Sequence, residues 1–125
     1  MKVLLIEDEL LIQKALKTLM EKRGAQVDVT SQGREAIQMI KKKQYDRIIT
    51  DLMLNDITGF DIIEETRTLF SPVEITNKFR VITAYSSSKI IDNLAKYEVQ
   101  VYHKPFEDLN KTIQQLMELN EKDYD

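Results

Sequence analysis

The sequence contains no cysteine, a single histidine, two prolines and three glycines among 125 residues. Without cysteine there are no disulfides, no thiol nucleophile and no thiolate metal site. The solitary His103 has no second imidazole with which to share a metal, and reads as a rim residue rather than a relay or ligand. No linker, internal repeat or low-complexity stretch is present. Long apolar runs are missing too. The segment KVLLI near the N-terminus is cut by Glu7, Asp8 and Glu9 before it can act as a signal peptide, and no later run could span a bilayer. The expected compartment is therefore the cytoplasm, with no membrane contact. Neither charge sign dominates: the net charge is -3 with 31% charged residues, which gives no field to draw nucleic acid directly. The run Lys41-Lys42-Lys43 reads as the solvated last turn of a helix, and the five scattered methionines as filling.

What is present is an alternation. The length suits one domain with a single core and leaves no room for a separate output domain. Short runs rich in Val and Ile, at 2–6, 25–29, 47–50, 79–83 and 99–103, predict five strands. Between and after them apolar residues recur at helical spacing: Ile12, Ala15, Leu16, Leu19 and Met20; then Ala36, Ile37 and Ile40; then Ile62, Ile63 and Leu69; then Ile91, Leu94 and Ala95; then Leu109, Ile113, Leu116 and Met117. Strict alternation of strand and helix predicts an α/β fold, a doubly wound parallel five-stranded sheet with helices on both faces. Arg80 interrupts the otherwise apolar fourth strand.

Sheets of this kind carry their sites at the carboxyl ends of the strands. In the stretch DRIITDLMLND the third strand runs into Asp51, and a carboxylate there needs either a solvent cleft or a cation. The other strand ends supply Glu7 and Asp8, Thr83 and Ala84, and Lys104 followed by Pro105. Three carboxylates repel one another unless a hard cation joins them, and an all-oxygen set with open positions suits Mg2+. Lys104 is either a plain ion-pair partner of Asp51 or a point charge for phosphate, with Thr83 as a second donor. Taken as a set, these residues predict a phosphoryl-transfer centre with Asp51 as the nucleophile.

Over residues 2 to about 119 the chain resembles the receiver domains of two-component response regulators. The resemblance rests on Glu7-Asp8, on DLML with Asp51, on Gly59 eight residues later, on Thr83-Ala84 and on Lys104-Pro105-Phe106. It implies the flavodoxin-like (βα)5 fold with strand order 2-1-3-4-5, a receiver domain over 1–120 and an acidic tail over 121–125. It also implies that Asp51 accepts phosphate from a phosphohistidine of a sensor histidine kinase or histidine phosphotransfer protein. Asp8, Asp51 and the Met53 carbonyl would bind Mg2+, with Glu7 helping through water. Thr83, Lys104 and the amides of Met53 and Ala84 would hold the phosphoryl oxygens, and the Lys104-Pro105 bond would be cis. Such a protein assists its own phosphorylation without being a turnover enzyme, and presents the fourth helix, fifth strand and fifth helix to a downstream target.

Several positions depart from the family pattern. Asn55 stands where proline is usual, which predicts a looser loop before the third helix. Val101 occupies the usual aromatic switch position, and Tyr102 follows it with the strand parity of Lys104. Tyr97-Glu98 replaces a common Gly-Ala pair. Output is therefore expected to run through Thr83, the loop ending at Ser88, or Tyr102. In such receivers the side chains at the positions of Met53 and Tyr85 flank the approach of water to the phosphorus. Neither offers it a carboxylate or amide, so the resemblance implies a long-lived phosphoryl group, unless Tyr85 points outward as a partner contact. A flavin-binding relative would need a hydroxyl- and glycine-rich loop where this chain has Glu7-Asp8-Glu9, and an aspartate-nucleophile phosphatase would carry its nucleophile after the first strand. A receiver-like interaction module that works without phosphorylation is the remaining alternative.

Overall fold

The computed structural model describes residues 1–84 and 88–118. The expectations placed on Tyr85, on Ser86 and Ser87, and on the 121–125 tail lie outside the described residues. Five parallel strands form one sheet: β1 (Lys2–Ile6), β2 (Gln26–Thr30), β3 (Arg47–Asp51), β4 (Phe79–Thr83) and β5 (Gln100–His103). Their order is β2-β1-β3-β4-β5, as the resemblance implied. The flavodoxin-like architecture is thus present.

Strand parity divides the core in two, because successive side chains point to opposite faces. Leu4, Ile6, Ile48, Phe79 and Val81 pack against helices α2 (Gly33–Lys42), α3 (Gly59–Thr66) and α5 (Ser88–Ala95). Val3, Leu5, Ile49 and Ile82 pack against α1 (Leu10–Lys22) and α6 (Leu109–Met117). Strands β3 and β4 are buried along their whole length, which explains why they show no polar alternation.

Five helices were expected, and the described residues contain six. The additional α4 (Pro72–Lys78) follows a short 3-10 turn at Arg67–Leu69 and leads directly into β4. Its signal is local rather than periodic. Ser71 accepts the Glu74 N–H, the Glu74 side chain returns to the Ser71 N–H, and Pro72 stands at the first helical position. The helices expected fourth and fifth are consequently α5 and α6.

The arginine inside β4 has a physical explanation. Arg80 is fully buried, and its guanidinium donates to the carbonyls of Thr76, Asn77 and Phe79. Arg47, at the start of β3, donates to the carbonyls of Leu116 and Glu118. Two buried cations thus meet the carboxyl ends of α4 and α6, where the helix dipole and unsatisfied carbonyls favour positive charge. Both lie at the edge of the sheet opposite the strand ends that carry Asp51 and Thr83.

Candidate functional site

Asp51 is the last residue of β3 and is 5% exposed. Its Oδ2 accepts a hydrogen bond from Lys104 Nζ at 2.8 Å, and its Oδ1 accepts the Met53 N–H at 3.2 Å. The cation asked for by the sequence is therefore Lys104, brought from 53 residues away. The residue itself is held by the β5 turn: its N–H donates to the Thr83 carbonyl at 2.8 Å, and the Lys104-Pro105 bond is cis.

Gly59 explains how α3 can start so close to this strand end. A Cβ there would stand 2.8 Å from the Asp51 carbonyl oxygen, closer than real contacts allow, and a tight 3.0 Å from the Thr50 side chain. The Gly59 N–H donates to Leu52 O, and a capping box between Thr58 and Asp61 begins the helix. Any larger residue would push α3 away from the backbone that carries Asp51.

The expected looseness at Asn55 is not what the structure shows. Asp56 accepts hydrogen bonds from the N–H groups of Gly33 and Arg34, both at 2.9 Å, and from Ile57 N–H. Desolvation opposes ionisation of Asp56, but these backbone bonds outweigh it and lower its pKa. One carboxylate therefore caps α2 and pins the loop to it, supplying the rigidity that proline would have given.

Glu7, Asp8 and Asp51 each offer a carboxylate oxygen, all within 4.8 Å of one another. The donor set is hard and wholly oxygen, and could hold a divalent cation. The three acids are not equivalent. Glu7 is fully buried; its Oε1 accepts from Lys104 Nζ at 2.9 Å and its Oε2 from Glu9 N–H at 3.2 Å. Burial raises its pKa to about 7, against the lowering effect of Lys104 and the Glu9 amide, while the Asp51 charge adds to the rise. Glu7 thus holds Lys104 from behind, whereas Asp8 and Asp51 line the open cavity. Burial pulls the Lys104 ammonium down, but its bonds to Asp51 and Glu7 prevail and hold its pKa above the ordinary value.

That cavity, of about 470 Å3, also takes in Met53, Thr83 and Ala84. Seven residues singled out in the sequence, Glu7, Asp8, Asp51, Met53, Thr83, Ala84 and Lys104, thus meet at one edge of the sheet. Glu9 was not among them, yet its carboxylate lies 3.6 Å from Lys104 Nζ. Its only signal was the third acid of the run after β1. Val101 and Tyr102 stand apart from the cavity and on opposite faces. Val101 packs with the α2, α3 and α5 side, while the Tyr102 ring joins the α1 and α6 side with its hydroxyl donating to Gln100 Oε1.

Comparison with known proteins gives a consistent result. The response regulator receiver domain family matches residues 3–117. The transcriptional regulatory protein QseB of Escherichia coli O157:H7 is 42% identical over 67 residues, which cover 54% of this chain and 31% of that protein. The aerobic respiration control sensor protein ArcB of Escherichia coli K12 is 41% identical over 63 residues, 50% of this chain and 8% of that protein. The chain therefore spans less than a third of the length of either relative. Among solved structures, the receiver domain of the Francisella response regulator 1452 superposes with a TM-score of 0.77 at 26% identity, covering 92% of both chains.

Proposed function

Because this chain belongs to the response regulator receiver domain family, we propose that it is a phosphorylation switch or phosphorelay intermediate in which Asp51 accepts the phosphoryl group. The observation that carries this reading is the Asp51 carboxylate, at the floor of an open cavity and bonded to Lys104 at 2.8 Å. The donor is a phosphohistidine on a sensor histidine kinase or phosphotransfer protein. An Asp51 oxygen attacks phosphorus and forms the acyl phosphate bond as the P–N bond to imidazole breaks, its electron pair staying on the nitrogen. Lys104 and the Thr83 hydroxyl take the phosphoryl oxygens, together with the amides of Met53 and Ala84. Asp8 and Asp51, with the Met53 carbonyl, would hold Mg2+. When bound, the ion neutralises charge on the phosphoryl oxygens. Domain 1–120 carries this chemistry, and the face formed by α5, β5 and α6 is the one offered to a downstream protein.

The test is intact mass after incubation with magnesium and a small phosphodonor, followed by peptide mapping. One phosphoryl group should appear, on the peptide that contains Asp51. Labelling on another residue would overturn the assignment.

Asp8→Ala should lower magnesium affinity by on the order of tenfold or more, since it removes a direct ligand without touching Lys104. In the unaltered protein Glu7, with its pKa near 7, must give up its proton for the cluster to present its full charge. Magnesium affinity should then fall from pH 8 to pH 6, with proton release on binding at the lower pH. Calorimetry in two buffers of different ionisation enthalpy measures both effects; pH-independent affinity would contradict this role of Glu7.

Met53 is 43% exposed beside the cavity and brings no group that could orient water. Met53→Asn should therefore speed loss of the phosphoryl group several-fold, as followed by the decay of the phosphorylated mass. Equal or slower decay would remove the argument for a long-lived phosphoprotein.

A further inference from the structure

Glu9 is the N-cap residue of α1, but its side chain accepts no hydrogen bond from the helix it precedes. An acidic residue could improve that terminus by capping the first turn or by opposing the dipole. Instead its carboxylate turns to Lys104 Nζ at 3.6 Å, while its own N–H is spent on Glu7 Oε2. The side chain remains 61% exposed and lines the same cavity as Asp51 and Thr83. It therefore stands on the phosphoryl side of the pocket, against the Lys104 ammonium that an incoming phosphoryl group would engage.

Charge makes this position consequential. The carboxylates of Glu7, Asp8 and Asp51 would be balanced by Lys104 together with one bound divalent cation. Glu9 is the additional carboxylate that leaves the loaded pocket negative. A phosphodonor carries negative charge of its own, and must displace or pass this group to reach Lys104. Next to Glu9 stand Leu10 and Leu11, 60% and 85% exposed. A macromolecular donor can cover these apolar side chains and draw on that remote binding energy, whereas a small donor cannot.

We infer that Glu9 is a specificity-determining residue that screens the Asp51 pocket against small, highly charged phosphodonors, slowing transfer from them relative to transfer from a docked protein donor. This rests on the reading of Asp51 as phosphoacceptor. The chemical step is unchanged: an Asp51 oxygen bonds to phosphorus, and the donor's P–O or P–N bond breaks with its electron pair leaving on acetate or on nitrogen. Glu9 acts on the approach that precedes it.

The experiment measures the rate of phosphoprotein formation by intact mass at saturating magnesium. Acetyl phosphate, a dianion at neutral pH, is compared with phosphoramidate, which carries less negative charge. Glu9→Gln, which keeps the shape and removes the charge, should accelerate the acetyl phosphate reaction about three- to tenfold at low ionic strength, with the gain shrinking in high salt. The gain with phosphoramidate should be smaller. Glu9→Asp, which keeps the charge, should stay close to the unaltered protein. No gain in Glu9→Gln, or a gain indifferent to salt and donor charge, would overturn the screen while leaving Asp51 as the acceptor. Failure of the unaltered protein and of both variants to take up any phosphoryl group would instead defeat the acceptor reading, and the screen with it.

Discussion

Asp51→Ala should take up no phosphoryl group under conditions that label the unaltered protein to completion, and should do so without unfolding. The nucleophile is removed outright, and neither Glu7 nor Asp8 is placed to replace it. Glu7 has both oxygens engaged at the back of Lys104, and Asp8 lies at the end of a different strand. The labelled fraction should fall by at least about a hundredfold, the scale on which loss of a covalent nucleophile is felt. The fold should tolerate the change because Lys104 keeps its bond to Glu7, and because one of three mutually repelling carboxylates is gone. The Asp51 charge is among the causes that raise the Glu7 pKa, so that carboxyl should ionise more easily in the variant. Intact mass and thermal unfolding, measured on the same preparation, separate chemistry from stability. Full labelling of a folded Asp51→Ala protein would refute the assignment.

The largest effect on stability is expected from Lys104→Met. Lys104 is buried between Glu7 and Asp51, and its removal leaves two buried carboxylates without their cation. Breaking a buried ion pair from one side is among the costly substitutions, and a loss of about 2–4 kcal/mol at pH 8 is expected. The sign of the pH dependence follows from Glu7. Its pKa in the folded protein is near 7, above its ordinary value of 4.5, so the folded state holds a proton that the unfolded chain releases. That contribution is fully present below pH 4.5 and is lost as pH rises towards 7. Without Lys104 the folded pKa of Glu7 rises further, because the hydrogen bond and charge that lower it are gone. The loss therefore extends to higher pH, and the deficit of the variant should be smaller at pH 6 than at pH 8. Denaturant unfolding at the two pH values decides it: equal stability at pH 8, or a larger deficit at pH 6, would contradict the account. Phosphorylation should also slow, since the ammonium that pairs with the phosphoryl oxygens is absent.

What could be read from the chain before any coordinates was whatever depends on neighbours in sequence. Strand parity, helical spacing and short runs rich in Val and Ile, even with Arg47 and Arg80 in two of them, are local patterns, and they suffice for five parallel strands with helices on both faces. Parallel strands also bring their carboxyl ends to one edge, so the meeting of Asp8, Asp51, Thr83 and Lys104 followed from topology. The capping box at Ser71 is also a local signal, but it went unread because its short helix has too few apolar residues to show a period.

Folding decided what depends on partners far apart in the chain. Three adjacent acids take three different roles because Lys104 approaches from β5: Glu7 is buried behind it, Asp8 faces the cavity, and Glu9 meets it from the rim. No local pattern distinguishes them. Asp56 gains its purpose from the N-terminus of α2, 23 residues earlier, and Arg80 from the carboxyl ends of α4 and α6. Sequence periodicity records which way a side chain points, but not what waits there. A buried charge takes its energy from its surroundings, and those are assembled only when the helices pack on the sheet.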